Sequence, residues 1–437
     1  MIRNARNRLS GVSVAKGLVL VLWAVCLPYA AAVEVDLARE LDPPVDRQTY
    51  FDTFPDRLKP LWLAALAHRE SDLRREVAEQ IIRAHRAGMD GTQVFVEPLS
   101  EIVSDAKEHR LARLAAARAL IELEAKSQSV ALAQAAAELG LDGASLIEPS
   151  LAAWGNDAMK AAWRERLKQP PPSRRSLILA IRAVKSQTDD RALEALWELL
   201  DGNRYANDIE VRIETAFALA EIQTTGNEEK AIRRYRAHSE SLAERLLAAN
   251  LLVRHRGERT EGVLLEMAHD RAPAIAVVAL RRLRALDARL PAEVSEPISS
   301  SHDTSLRFLS LEFDEAEAST AGVARIAKLL ADRHPQIRSL AGDALIRLDV
   351  QESLSESVRE QSSEVLHGDL PRGIEFAALV LGSLDHEPSA DRFLDLLDHE
   401  DAEVRVAAAW GLRKLAVGAT AEPIFQRVVA NAEWLDE

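Results

Sequence analysis

The chain has 437 residues, 47% of them hydrophobic and 28% charged, with 69 acidic against 55 basic residues and a formal charge of −14. That composition can fill a core, carries too much charge for a multispanning membrane protein, and lacks the positive footprint a dedicated nucleic-acid binder needs. Aromatics at 5%, with 18 Gly and 17 Pro, are lean for a sheet protein, and a single Cys excludes a disulfide framework, a Cys-based zinc site and CxxCH haem attachment.

The first segment reads as an address. Arg3, Arg6, Arg8 and Lys16 precede an apolar run from Gly17 to Leu27; Pro28 breaks it, and Ala30 and Ala32 form an Ala-x-Ala site. A basic region, a short apolar core and small residues at the cut describe a secretory signal, cleaved after Ala32. The run is shorter than the roughly 20 residues a span requires, so a retained anchor is the weaker reading. Cys26 fits a lipoprotein site poorly, because Val25 precedes it and Leu27 follows. Cleavage would remove four basic residues and no acid, moving the charge from −14 to −18 and leaving a chain without cysteine from Val33. Such a chain suits an oxidising compartment, so the expectation is periplasmic or secreted, with no membrane span after signal removal.

Residues 33–57, with Asp42-Pro-Pro-Val-Asp46 and Tyr50-Phe-Asp-Thr-Phe54, read as an N-terminal tail or cap. A repeat follows over 58–437, built on hydrophobic-Arg-x-x-Ala-small-x-x-Leu-x-x-Leu. It is weak at Leu73-Arg74, clear at Arg113 with Ala116, Leu120 and Leu123, and diffuse over 129–200, where two or three units are expected. It returns at Arg212, Arg245, Ala276, Arg307, Arg338 and Arg405, spaced by 33, 31, 31, 31 and 67 residues, and the last gap holds a degenerate unit at Phe376 to Leu384. About ten or eleven units result.

Apolar positions at three- and four-residue steps and abundant Ala make each unit a helix, and a second amphipathic helix precedes it. Asp208, Asp303 and Asp401 each stand four residues before the arginine. An acid there is expected to cap the helix, with the arginine reaching back to it. Pro335 falls at such a start, and Pro170 to Pro172 is expected to mark a loop between units. One helix pair cannot bury its own apolar face, so the units must stack. The predicted fold is all-α, an α-solenoid in a single array.

The Asp-x-x-x-Arg-x-x-Ala-Ala units at about 31 residues resemble HEAT repeats, in particular the short kind found in phycobilisome lyase subunits. The likeness is strongest at 208–222, 303–348 and 400–415. It implies a scaffold that binds protein partners, with a minority of enzymes built on the same architecture.

Two enzymatic alternatives follow from the resemblance. His386-Glu387 and His399-Glu400 are similar to the His-Glu motifs with which deoxyhypusine hydroxylase holds two irons, and His with a carboxylate is a sensible Fe(II) ligand set. Here there are two motifs, 13 residues apart and in turn contexts, which suits polar caps better. The lyase likeness implies handling of a tetrapyrrole, and the export signal opposes that compartment. GxSxG, HExxH, GxxxxGK[ST] and GxGxxG motifs are missing.

Charge is uneven. Residues 230–290 are net +6 and residues 291–437 net −15. The basic stretch includes Arg233-Arg234-Tyr-Arg236, Arg254-His-Arg256 and Arg281-Arg282-Leu-Arg284, and reads either as a patch for an acidic partner, anionic polysaccharide or lipid headgroups, or as solvated faces paired with neighbouring acids. Trp62, Trp154, Trp163, Trp197 and Trp410 read as repeat core or ridge, and Trp434 as a cap on the last repeat. The sequence thus predicts a non-catalytic scaffold for an unidentified protein partner, with no nucleic acid, cofactor, metal ligand or catalytic residue, and with Arg281, Arg282 and Arg284 as candidate partner contacts.

Overall fold

The computed structural model describes residues 54–55 and 57–432, and every regular element among them is helical. The cleavage residues Ala30 and Ala32, nearly all of the 33–57 segment and Trp434 lie outside the described residues.

Among the described residues, twenty-three α-helices form eleven antiparallel pairs followed by a single helix. The first four pairs are α1 (Leu58–Leu66) with α2 (Ser71–Arg86), α3 (Val96–Ser104) with α4 (Arg110–Glu122), α5 (Ser129–Glu138) with α6 (Gly140–Ala153), and α7 (Asp157–Lys168) with α8 (Arg174–Ser186). The next four are α9 (Leu193–Asp201) with α10 (Ile209–Ile222), α11 (Glu228–Ala237) with α12 (Leu242–Leu251), α13 (Glu258–Ala268) with α14 (Pro273–Ala285), and α15 (Ala292–Ser299) with α16 (Thr304–Glu317). Then come α17 (Thr320–Leu329) with α18 (Pro335–Asp349), α19 (Glu352–Leu366) with α20 (Pro371–Ser383), α21 (Ala390–Leu396) with α22 (Ala402–Leu415), and α23 (Ala421–Ala432). Each even-numbered helix packs on the next even-numbered helix from α2 to α22, a continuous layer of second helices. This is a HEAT-like α-solenoid.

The sequence explains the packing locally. In α4, Ala112, Ala115, Ala116, Ala119 and Leu120 are all buried, so methyl groups line the side on which neighbouring helices approach. Burying a leucine such as Leu120 contributes about 1.5–3 kcal/mol, while alanines keep the axes close at little entropic cost. At α20 and α22 the approach needs glycine. A Cβ on Gly411 would lie 2.6 Å from the Phe393 ring, and one on Gly382 would lie 2.6 Å from Trp410.

Helix starts follow the expected chemistry. Asp208 accepts from the Val211 N–H at 3.2 Å, Asp303 from those of Ser305 and Leu306, and Asp401 from that of Glu403. Pro273, Pro335 and Pro371 occupy first-turn positions, where a missing N–H costs nothing. Pro170 to Pro172 joins α7 to α8, inside a pair rather than between units, so that expectation is corrected. The apolar core runs in two stretches that meet at α16. Leu306, Leu309 and Phe313 belong to the first and Leu311 to the second.

Candidate functional site

The repeated arginine does not reach back to its capping aspartate. In six of the second helices it instead binds the carbonyl six residues earlier, in the turn before its own helix: Arg74 to His68, Arg212 to Ala206, Arg245 to Ser239, Arg307 to Ser301, Arg338 to Asp332 and Arg405 to His399. Where the next pair offers an acid, the same guanidinium crosses to it. Arg113 meets Glu138 at 2.6 Å, Arg212 meets Glu244 at 2.7 Å, Arg245 meets Asp270 at 2.9 Å and Arg307 meets Asp332 at 2.6 Å. The planar guanidinium supplies five donors, so one side chain can tie a turn and a neighbouring unit together. In the diffuse region the polarity reverses. Glu148, 1% exposed on α6, accepts from Arg166 at 2.7 and 2.8 Å and from the Trp163 indole N–H at 3.1 Å.

These ties absorb much of the basic stretch. Arg236 pairs with Glu266, Arg254 with Glu221, Arg259 with Glu229 and Arg271 with Glu240, each linking neighbouring helix pairs. Arg282, a candidate partner contact, is 6% exposed and donates to the Arg254 and His255 carbonyls at 3.0, 2.9 and 2.7 Å. Burial, with repulsion from Arg256 and Arg254 added, lowers its pKa from the ordinary arginine value. Arg282 is therefore an internal tie and leaves the candidate set. Arg281 is exposed, and Arg284 lies 3.6 Å from Asp287.

Among the described residues, Lys230, Arg233, Arg256, Arg281, Arg282 and Arg289 of the 230–290 stretch have no carboxylate partner, and Arg282 is held by carbonyls instead. Lys230 and Arg233 border one groove of about 630 Å³. Its walls are the end of α9 with the following turn (Trp197, Asn203, Ala206) and α11 (Lys230, Arg233, Ala237). Lys230 Nζ stands 3.6 Å from the centre of the Trp197 ring, a cation–π contact. The floor is already balanced. Arg234 bridges Asp201 and Glu244, and Arg212 takes the other oxygen of Glu244. Burial pushes the Glu244 carboxyl up, but the Arg212 and Arg234 guanidinium groups outweigh it and hold the pKa below the usual range. Positive charge therefore remains on the rim.

The sequence placed Arg233 in the basic stretch and Trp197 among the ridge residues, 36 positions apart, with no signal joining them. Trp163 is fully buried core, whereas Trp62, Trp154 and Trp197 are half-buried.

The His-Glu pairs sit in turns. His386 Nδ1 lies 2.8 Å from the Ser389 hydroxyl, and His399 Nδ1 accepts the Asp401 N–H at 3.0 Å. Burial, then the Arg359 charge, holds the His386 pKa below its ordinary value. His386 borders an open groove of about 890 Å³ with Glu356, Glu360, Glu364, Asp385 and Glu387. Among the described residues, no group of three or more His, Cys, Asp or Glu is placed to hold a metal ion. None of the described helices is long and apolar enough to cross a membrane.

No family model matches the chain, and no curated protein matches it. Solved structures similar to it include Kap95p with RanGDP (15% identity over 83% of this chain and 50% of that one, TM-score 0.46) and importin beta (13%, 84% and 52%, TM-score 0.42). Human deoxyhypusine hydroxylase is also similar, at 16% identity over 75% of this chain and 98% of that one, with a TM-score of 0.26. The chain spans about half the length of the Kap95p and importin beta chains it matches. The functional reading therefore rests on this chain's own residues.

Proposed function

We propose that this protein is an exported, non-catalytic HEAT-like scaffold that holds a protein partner, with a signal at 1–32, a tail or cap at 33–57 and the array at 58–437. The observation that carries the reading is where the buried charges go. Arg113, Arg212, Arg245, Arg282 and Arg307 are buried, and each is engaged in holding turns or neighbouring helix pairs together. Charged groups used in this way stiffen a long surface; a catalytic centre would draw them together around a substrate. The basic n-region, the apolar run and the Ala30-x-Ala32 site support export to the periplasm or medium.

The test combines cell fractionation, N-terminal sequencing and in-cell cross-linking of the tagged full-length chain. A mature chain starting at Val33 in the soluble envelope fraction or medium, cross-linked to one recurrent protein, is the expected result. A chain keeping Met1 in the cytoplasm overturns export. Stoichiometric iron or zinc in the purified protein, lost in His399→Ala, overturns the non-catalytic reading and restores the metal alternative.

A further inference from the structure

The groove between α9 and α11 differs from the rest of the basic stretch in placing two cations without carboxylate partners beside an aromatic wall, the Lys230 ammonium lying over the Trp197 ring. Lys230 and Arg233 lie three residues apart on α11, so both face the same side of the helix, and both are exposed. Among the described residues neither has a carboxylate partner, whereas the two acids of the groove, Asp201 and Glu244, are held by Arg212 and Arg234. The groove is thus net positive by two charges in a chain whose formal charge is −14. Trp197 supplies an apolar wall, and the exposed methyl groups of Ala206 and Ala237 continue it.

The occupant follows from this chemistry. Two cations one turn apart match two carboxylates on one short stretch of chain, and the indole and methyl groups match an apolar side chain between them. A long polyanion would need free cations in series. The neighbouring Arg236, Arg254, Arg259 and Arg271 are instead matched to acids at 2.5 to 2.8 Å. We propose that the groove formed by Trp197, Lys230 and Arg233 is a docking site for an acidic, extended segment of a partner protein. Two carboxylates would sit on Arg233 and on Lys230, which the Trp197 ring holds in place, and an apolar side chain against the Ala206 and Ala237 methyl groups beside the indole. This rests on the scaffold reading and gives it a site.

The experiment uses the full chain after signal removal and a fluorescein-labelled decapeptide of alternating Asp and Leu, read by anisotropy. The control peptide carries Asn for Asp. The acidic peptide binds, the Asn peptide does not, and added salt weakens the complex. Lys230→Glu with Arg233→Glu lowers affinity about a hundredfold and Trp197→Ala about tenfold, with unchanged circular dichroism. Absence of acidic-peptide binding, or equal binding by the double variant, overturns the site. So does tighter binding of a heparin fragment or phosphatidylglycerol vesicles that displaces the peptide, since the groove would then serve a different class of anion. The two levels fail separately. A cross-linked partner retained at full yield by the double variant removes this site and leaves the scaffold. Peptide binding without any cross-linked partner in cells removes the scaffold role and leaves the groove's chemistry.

Discussion

Truncating Arg307 to alanine tests whether the repeated arginine holds the array together. Arg307 Nε and Nη2 contact the two oxygens of Asp332 at 2.6 and 3.0 Å, and Nη1 donates to the Ser301 and His302 carbonyls at 2.8 and 3.2 Å. Both partners are nearly closed to solvent, with side chains 5% and 4% exposed. After truncation, Asp332 keeps the His334 N–H at 2.7 Å but loses its counter-charge. Breaking a buried pair in this way costs about 3–5 kcal/mol, whereas an exposed pair costs about 0–1 kcal/mol. The location sharpens the expectation. The two stretches of apolar core meet at α16, and polar ties cross to the next pair there, including Arg325 with Asp314 at 2.6 Å. In a linear array, neighbour coupling sets cooperativity, so Arg307→Ala should split urea unfolding into two transitions. Trp62, Trp154, Trp163 and Trp197 precede the junction in sequence and Trp410 and Trp434 follow it, so tryptophan fluorescence, weighted to the first part, and far-ultraviolet circular dichroism should cease to coincide. The double change Arg307→Met with Asp332→Leu should recover only part of the loss, because it removes the unpaired charge but leaves the Ser301 and His302 carbonyls and the His334 N–H without these partners. One coincident transition with a loss below about 1 kcal/mol would refute the reasoning, placing the pair with ordinary surface bridges.

His255 is buried and its Nε2 accepts the Asn227 N–H at 3.2 Å. Burial, reinforced by Arg282 and opposed by Glu228, holds its folded pKa below the ordinary value. The folded state therefore binds fewer protons than the unfolded one. Stability is full above about pH 6.5 and falls as pH drops from there through the folded pKa; a His255→Gln chain should show a flatter urea midpoint across that window. Gly411→Ala should cost about 1–3 kcal/mol, because the new methyl meets Phe393 at 2.6 Å, and Phe393→Leu should relieve it in a thermal melt. Arg282→Ala should destabilise by about 1–3 kcal/mol through unpaired carbonyls, while Arg281→Glu stays within about 0.5 kcal/mol by denaturant titration. Equal effects at the two arginines would contradict the burial described above.

The fold was legible wherever the signal was local. Apolar spacing within single helices, Asp208, Asp303 and Asp401 at their starts, and a repeat near 31 residues together dictate stacked helix pairs. The region 129–200 was harder to read because its buried charge sits on Glu148 of a second helix and its cation, Arg166, on the first helix of the next pair, so the second-helix arginine that marks other units is missing. The candidate site was less legible. Arg281 and Arg282 are adjacent in sequence and opposite in environment, because a step of one residue turns about 100° around the helix and the neighbouring α12–α13 turn covers only one of the two directions.

What the sequence determined by itself was therefore periodic: helices, caps, their pairing and the need to stack. What the tertiary structure decided was the destination of long polar side chains. Arg307 crosses 25 residues to Asp332, passing over the aspartate four residues before it, and Lys230 crosses 33 to the Trp197 ring. Guanidinium and ammonium groups on flexible stems take whichever partner lies nearest in space. In a solenoid, that partner belongs to the neighbouring unit, whose position is fixed only once the apolar faces have packed.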